Sequence, residues 1–197
     1  MNWLELTAAI LGVISVWFVV KRNILAFPIG IGMVLLYIVI FYEAKFYSDM
    51  ILQVVYVVMQ AQGWYLWTRG DRAEDDKIAI GHLNSRQWAI SGLVQVFGTL
   101  SLGYVMHRYT DAYLPWLDAF TTTMSLLAQW WMNKKYLQNW VLWITVDVIY
   151  LYQYSAKALY LTTGLYAVFT MLAIAGYIEW KKKSKTPAAP VRRSQNA

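Results

Sequence analysis

Seven residues lie in the apolar stretches of this 197-residue chain whose side chains could handle a solute: Gln53, Gln60, Asp118, Trp140, Trp143, Asp147 and Tyr150. The amides can bond hydroxyls, the rings can flank a flat heterocycle, and a carboxylate or an aromatic face attracts a cation. Their spacing groups them. Gln53 and Gln60 stand seven apart, on one helical face, with Gln62 nearby. Positions 143, 147, 150 and 154 share a second face, and Asp118, Thr122, Ser125 and Gln129 form a third stripe. Such a set suits a cationic heteroaromatic solute bearing hydroxyls.

Each member has a plainer reading beside the functional one. Glutamines in membrane helices also bond between helices, and Ser and Thr usually pack or bond back to their own helix. Asp118, like Glu5, falls near the start of its apolar run, where a carboxylate caps a helix N-terminus. Trp3, Trp67, Trp116 and Trp180 sit near run ends and read as interfacial anchors. Asp147 differs. It is mid-run, with no basic residue in its own segment, and an ionisable group placed there is a functional candidate.

The elements that must position these groups are membrane spans. Hydrophobic residues make up 59% of the chain and charged residues only 14%, about half the share of a soluble domain. Apolar runs long enough to cross a bilayer follow one another, at about 3–20, 24–42, 48–67, 88–106, 116–133, 140–156 and 159–179. The first run lacks a basic flank and a small-residue cleavage site, so it reads as a retained span rather than a leader. With the N-terminus outside, fourteen of the 17 Lys and Arg fall in inner segments and three (Lys45, Arg108 and Lys157) in outer loops. That bias places the C-terminus in the cytoplasm. The net charge of +6 is thus a topology signal and not a nucleic-acid footprint. From Lys181 the chain turns basic, then rich in Pro and Ala, and reads as a disordered, solvated tail.

Sliding the chain against itself by 113 residues aligns Trp3 with Trp116, Trp17 with Trp130, Lys21-Arg22 with Lys134-Lys135, Tyr37 with Tyr150, Gly63 with Gly176 and Trp67 with Trp180. The unit is three helices long, and the extra fourth span restores its direction. The expected fold is therefore an all-α membrane protein in a 3+1+3 parallel repeat, with a solute site between the repeats near the midplane. Residues 1–70 form the first repeat, 71–106 a cytoplasmic linker and the linking helix, 107–183 the second repeat and 184–197 the tail.

The motifs resemble one family across about residues 3–183. Gln138-Asn139-Trp140-Val141-Leu142-Trp143 followed by Asp147 is similar to the E-N-W-x-x-W-x-x-x-N/D signature of the PnuC family of vitamin transporters, with Gln138 in place of the Glu. Leu52-Gln53 with Gly63-Trp64-Tyr65-Leu66-Trp67, Trp116-Leu117-Asp118, and Tyr160-Leu161-Thr162 with Gly176-Tyr177-Ile178-Glu179-Trp180 complete the pattern. The resemblance implies a SWEET-like fold, commonly trimeric. It implies facilitated diffusion of nicotinamide riboside into the cytoplasm, with a kinase trapping the product by phosphorylation. It also implies substrate contacts at Gln53, Gln60, Trp140, Trp143 and Asp147. Relatives in this fold carry thiamine or riboflavin, and thiamine, also a cationic heteroaromatic, fits the same residues.

Other classes find little support. There are no cysteines, and nothing resembles a phosphate-binding G-x-x-x-x-G-K-[ST] loop. The two histidines, His82 and His107, fall on opposite sides of the membrane in this topology, so an intramembrane enzyme, a metal site and a cofactor are not expected. A sensor would need more than these short loops. The topology is checked with reporter fusions at both ends. Met1 is expected outside and Ala197 inside, and a shared compartment would exclude an odd number of spans.

Overall fold

The computed structural model describes residues 3–43, 47–69, 79–110, 114–156 and 160–184, apart from the side chains of 47–49 and 161. These form seven helices: α1 (Trp3–Val20), α2 (Ala26–Glu43), α3 (Tyr47–Thr68), α4 (Ser85–Tyr109), α5 (Pro115–Asn133), α6 (Asn139–Ala156) and α7 (Tyr160–Ser184). The expected all-α, seven-helix architecture is borne out. Lys45, Arg72, Lys77, Lys157 and the tail from 185 onward lie outside the described residues. One boundary differs. α7 runs through Lys181, Lys182 and Lys183, past position 179 where the last apolar run was read to end. Cations are favourable in the last turn of a helix, so the basic run extends α7 rather than ending it.

α1, α2, α4 and α7 are long and apolar enough to cross a membrane on composition alone. α3, α5 and α6 have 22, 19 and 18 residues but carry the amides, hydroxyls and carboxylates of the candidate site. Packing places them accordingly. Among the described residues α1 packs on α2, α2 on α3, α3 on α5, α5 on α6, α6 on α7 and α7 on α1, which closes a six-helix ring. α4 packs on α5 alone. It starts at a capping box, in which Asn84 accepts from the Gln87 backbone N–H and the Gln87 side chain accepts from that of Asn84. The ring is unchanged when α1, α2 and α3 are exchanged for α5, α6 and α7.

The exchange holds at the level of single bonds. α1 ends when Arg22 turns left-handed (φ 54°), and α5 ends when Lys135 does (φ 64°), 113 residues later. Around Arg22 the N–H groups of Arg22 and Asn23 donate to Val19 and Phe18. Around Lys135 those of Lys135 and Tyr136 donate to Met132 and Trp131, the same pattern at the same offset. The buried indole N–H of Trp67, in α3, donates to the Met132 carbonyl at 3.2 Å, and that of Trp180, in α7, donates to the Val19 carbonyl at 3.2 Å. The C-terminal ends of α1, α3, α5 and α7 therefore gather at one end, which carries the basic clusters and is called the basic end below.

Trp67 and Trp180 are thus core residues, fully buried, and not interfacial anchors as their sequence positions suggested. The reason is that helix-end carbonyls also need donors, and these two indoles reach inward to supply them. Phe27 meets Trp67 edge-on (5.0 Å between centroids), Trp140 meets Trp180 the same way (5.5 Å), and Trp67 and Trp180 lie 6.0 Å apart. This cluster leaves no room beside it. A Cβ on Gly63 would collide with Phe27 and Asn133, and one on Gly176 with the Trp140 ring, whereas Gly92 on α4 has open space. Gly63→Ala and Gly176→Ala are each expected to cost about 1–3 kcal/mol through overpacking of rings that cannot yield. Thermal unfolding in detergent checks this, with Gly92→Ala expected to be neutral or slightly stabilising.

Candidate functional site

Above the aromatic cluster, away from the basic end, α6 brings its polar face into the ring. Asp147 lies two turns past Trp140, about 10 Å along the axis, and is buried. No hydrogen bond reaches its carboxylate among the described residues. Its surroundings are tyrosines. The rings of Tyr150 and Tyr166 are 4.9 Å apart, Tyr154 stacks on Tyr166 at 5.2 Å, and Tyr166 meets Phe169 edge-on at 5.8 Å. Asp147 and Tyr37 of α2 are both close enough to Tyr166 to act on it electrostatically. Tyr56 of α3 lies beside Ser125 of α5 and near Tyr150. Five ring helices thus meet around one buried acid.

The Ser125 hydroxyl donates to the Thr121 carbonyl at 2.8 Å. One turn on, Gln129 donates to the Asn133 side chain at 3.0 Å, and Asn133 donates to the Met59 carbonyl at 2.7 Å. The α3–α5 seam is therefore a polar ladder. On α1, Gly12 lets Phe169 of α7 and Met33 of α2 approach.

The seven sequence-predicted residues separate into four groups. Asp147 and Tyr150 belong to the tyrosine-ringed cluster. Trp143 is half-buried, one turn below Asp147, and packs against the aromatic core. Gln53 is half-buried on α3, and Gln60, on the same face, is buried against Gly30 beside Ser15. Trp140 is drawn out of the cluster into the aromatic core, although its buried indole N–H has no partner there. Asp118 is at the far end of α5, where it accepts a hydrogen bond from Gln153 of α6 at 3.0 Å, an interhelical tie rather than a helix cap.

The structure adds Tyr37, Tyr56 and Tyr166 to the candidate residues. Tyr37 was within reach of the sequence, since the 113-residue offset pairs it with Tyr150. Tyr166 falls at that offset opposite Gln53, so the repeat alone gives no sign of it. Among the described residues no group of His, Asp and Glu could hold a metal ion.

Comparison with known proteins agrees with this architecture. The family model described as nicotinamide mononucleotide transporter matches residues 2–182. The chain is 31% identical to the nicotinamide riboside transporter PnuC of Neisseria mucosa, over 93% of this chain and 74% of that one. It is 24% identical to PnuC of Escherichia coli, over 91% and 85%. It is also 24% identical to the riboflavin/roseoflavin transporter RibM of Streptomyces davaonensis, over 96% and 89%. A crystal structure of the vitamin B3 transporter PnuC superposes with a TM-score of 0.78 at 28% identity, covering 93% of this chain and 82% of the other. The resemblance read from the span motifs is borne out, and the chain belongs to the nicotinamide mononucleotide transporter family of multi-pass membrane proteins.

Proposed function

We propose that the protein carries nicotinamide riboside down its gradient across the inner membrane, and that a cytoplasmic kinase makes uptake one-way by phosphorylating the product. The N-terminus is then outside and the basic end cytoplasmic, and the chain works as a homotrimer, a reading taken from the resemblance. The observation that carries the substrate class is Asp147, a buried carboxylate without a basic partner, ringed by tyrosines. A pyridinium ring supplies the missing positive charge and a flat face for the rings. Gln53 and Gln60 are suited to ribose hydroxyls, Trp143 and Tyr150 to the faces of the base, and the unpaired Trp140 N–H to an acceptor on the solute. Asp118 is left with a structural role.

A negative-inside membrane potential favours inward movement of a monocation by about 2.3 kcal/mol per 100 mV, so uptake does not need a coupled ion. Riboflavin is a second reading, favoured by the likeness to the riboflavin/roseoflavin transporter. Its neutral ring gives Asp147 nothing to attract, which ranks it below the pyridinium nucleoside. Thiamine is charged and flat, and Asp147 alone does not reject it.

Calorimetry on the purified protein with nicotinamide riboside, thiamine and riboflavin separates these readings, and only the first is expected to bind tightly. Asp147→Asn keeps the shape and removes the charge, and is expected to weaken binding about 10- to 100-fold. Unchanged affinity would take Asp147 out of the site. Trp143→Ala is expected to cost several-fold through the lost stacking face.

In proteoliposomes, label is expected to equilibrate across the wild-type protein. It should accumulate further only when a nicotinamide riboside kinase and ATP are sealed inside. Accumulation without them, driven by an ion gradient, would replace facilitation by coupled transport.

A further inference from the structure

The linker before α4 does not merely connect. Gly81 pairs with the α5–α6 turn as a short parallel bridge, its N–H donating to Lys135 O at 3.0 Å and its carbonyl accepting from Leu137 N–H at 3.0 Å. The Leu83 N–H donates to the Gln138 side chain at 3.3 Å. This strap holds the start of α4 against the end of α5 and leaves a cavity of about 320 Å³ between them. Gln87, Ser91, Lys134 and Tyr136 line it, with Ile90 and Trp130, and among the described residues no acidic one does.

The lining is rich in donors. Gln87 donates to the Tyr136 hydroxyl at 2.8 Å, so that oxygen is occupied as an acceptor and its own hydrogen is free to point elsewhere. Trp131 donates to the Ser91 hydroxyl at 3.2 Å, which leaves the Ser91 hydrogen in the same position, on a residue only 8% exposed. The Lys134 ammonium lies 5.1 Å from the centre of the Trp130 ring, held by its face and not by a carboxylate. Two hydroxyl donors and a cation therefore converge on a space that no acidic side chain lines among the described residues.

The surroundings indicate the anion. Ile90 and Trp130 are exposed apolar residues on the cavity's lining, and the exposed Leu93, Val94, Phe97 and Leu100 continue along α4, which packs on α5 alone. Trp88, also exposed, meets the buried Trp131 edge-on at 5.2 Å, and the two exposed indoles, Trp88 and Trp130, mark the depth at which aromatic residues gather at a membrane surface. A cationic cavity between helices at that depth is where a lipid headgroup is held.

We propose that this cavity seats the phosphate-bearing headgroup of an anionic phospholipid, with Lys134, Ser91 and Tyr136 on the phosphate and the acyl chains along α4. The site is separate from the tyrosine-ringed cluster and does not rest on which solute is carried.

Native mass spectrometry of the full chain, mixed in detergent with phosphatidylglycerol or phosphatidylcholine, tests it. Selective retention of phosphatidylglycerol is expected, with roughly fivefold loss in Lys134→Gln and a further loss when Tyr136→Phe is added. Lys182→Gln removes an exposed charge at the same end of the bundle and is expected to change nothing. Equal retention of the two lipids would overturn the proposal, as would equal losses in Lys134→Gln and Lys182→Gln, which would mean diffuse attraction to the basic end. Thermal stability in inorganic phosphate separates the other source of this chemistry. Stabilisation by phosphate matching that by phosphatidylglycerol would replace the lipid by a soluble anion and overturn the assignment.

Discussion

The arrangement depends on how two helix ends are satisfied inside a bilayer. A helix terminus leaves carbonyls without donors, and hydrocarbon supplies none. Here the Val19 and Met132 carbonyls each receive two N–H groups, one from the left-handed turn that follows and one from an indole on another helix. The second donor crosses between halves. Trp67 of α3 serves the end of α5, and Trp180 of α7 serves the end of α1. Each three-helix unit thus completes the backbone bonding of the other, and neither can leave without exposing a carbonyl. The indole rings fill the space between the units; Gly176 is small because the Trp140 ring needs the room, and Gly63 because Phe27 and Asn133 do.

On this symmetric frame the chemistry is asymmetric. Val34 stands at the repeat position of Asp147 and is buried as well, but only Asp147 brings a carboxylate, and it lies close to Tyr166. Val20 stands at the position of Asn133, so the amide ladder that stitches α3 to α5 has no counterpart between α7 and α1. A duplicated scaffold needs both copies to keep the glycines, tryptophans and turn residues that hold it together. It needs only one copy of each residue that meets a solute. The positions that match at the 113-residue offset are accordingly structural, and the candidate binding groups are concentrated among those that do not. Tyr37 and Tyr150, which match and both lie at the cluster, are the exception.

Much of the fold was legible because its signals are local. Runs of apolar residues gave the spans, and paired Lys-Arg and Lys-Lys turns marked equivalent helix ends. The errors share a cause. Trp67 and Trp180 sit at the ends of apolar runs, where tryptophan usually faces the membrane surface, and no one-dimensional signal says that the two ends converge. Asp118 looked like a helix cap because Gln153, its partner, is 35 residues away on another helix. Asp147 could be singled out because its oddity, an acid in mid-span, needs no partner to be visible. Tyr56 and Tyr166 could not, since a tyrosine in an apolar run is ordinary until the neighbours that share its space are known.

The geometry also constrains the path of any solute. From the depth of Asp147 toward the basic end the way is filled by Phe27, Trp67, Trp180 and Trp140, all buried and in ring contact one with the next. Passage in that direction requires these rings to part, and two of them are tied through their N–H groups to backbone carbonyls of the opposite unit. Opening therefore has to move whole helices rather than flip side chains, because a rotated indole would leave its carbonyl half-satisfied. The left-handed turns at Arg22 and Lys135 join α1 to α2 and α5 to α6 at this level. The strap from Gly81 to Lys135 and Leu137 restrains the second of those turns, while the first carries no such bridge among the described residues. Of these two equivalent turns, one is braced by the linking segment, and the other is held by the burial of Arg22 and by the Asn23 side chain, which accepts from the Leu25 N–H.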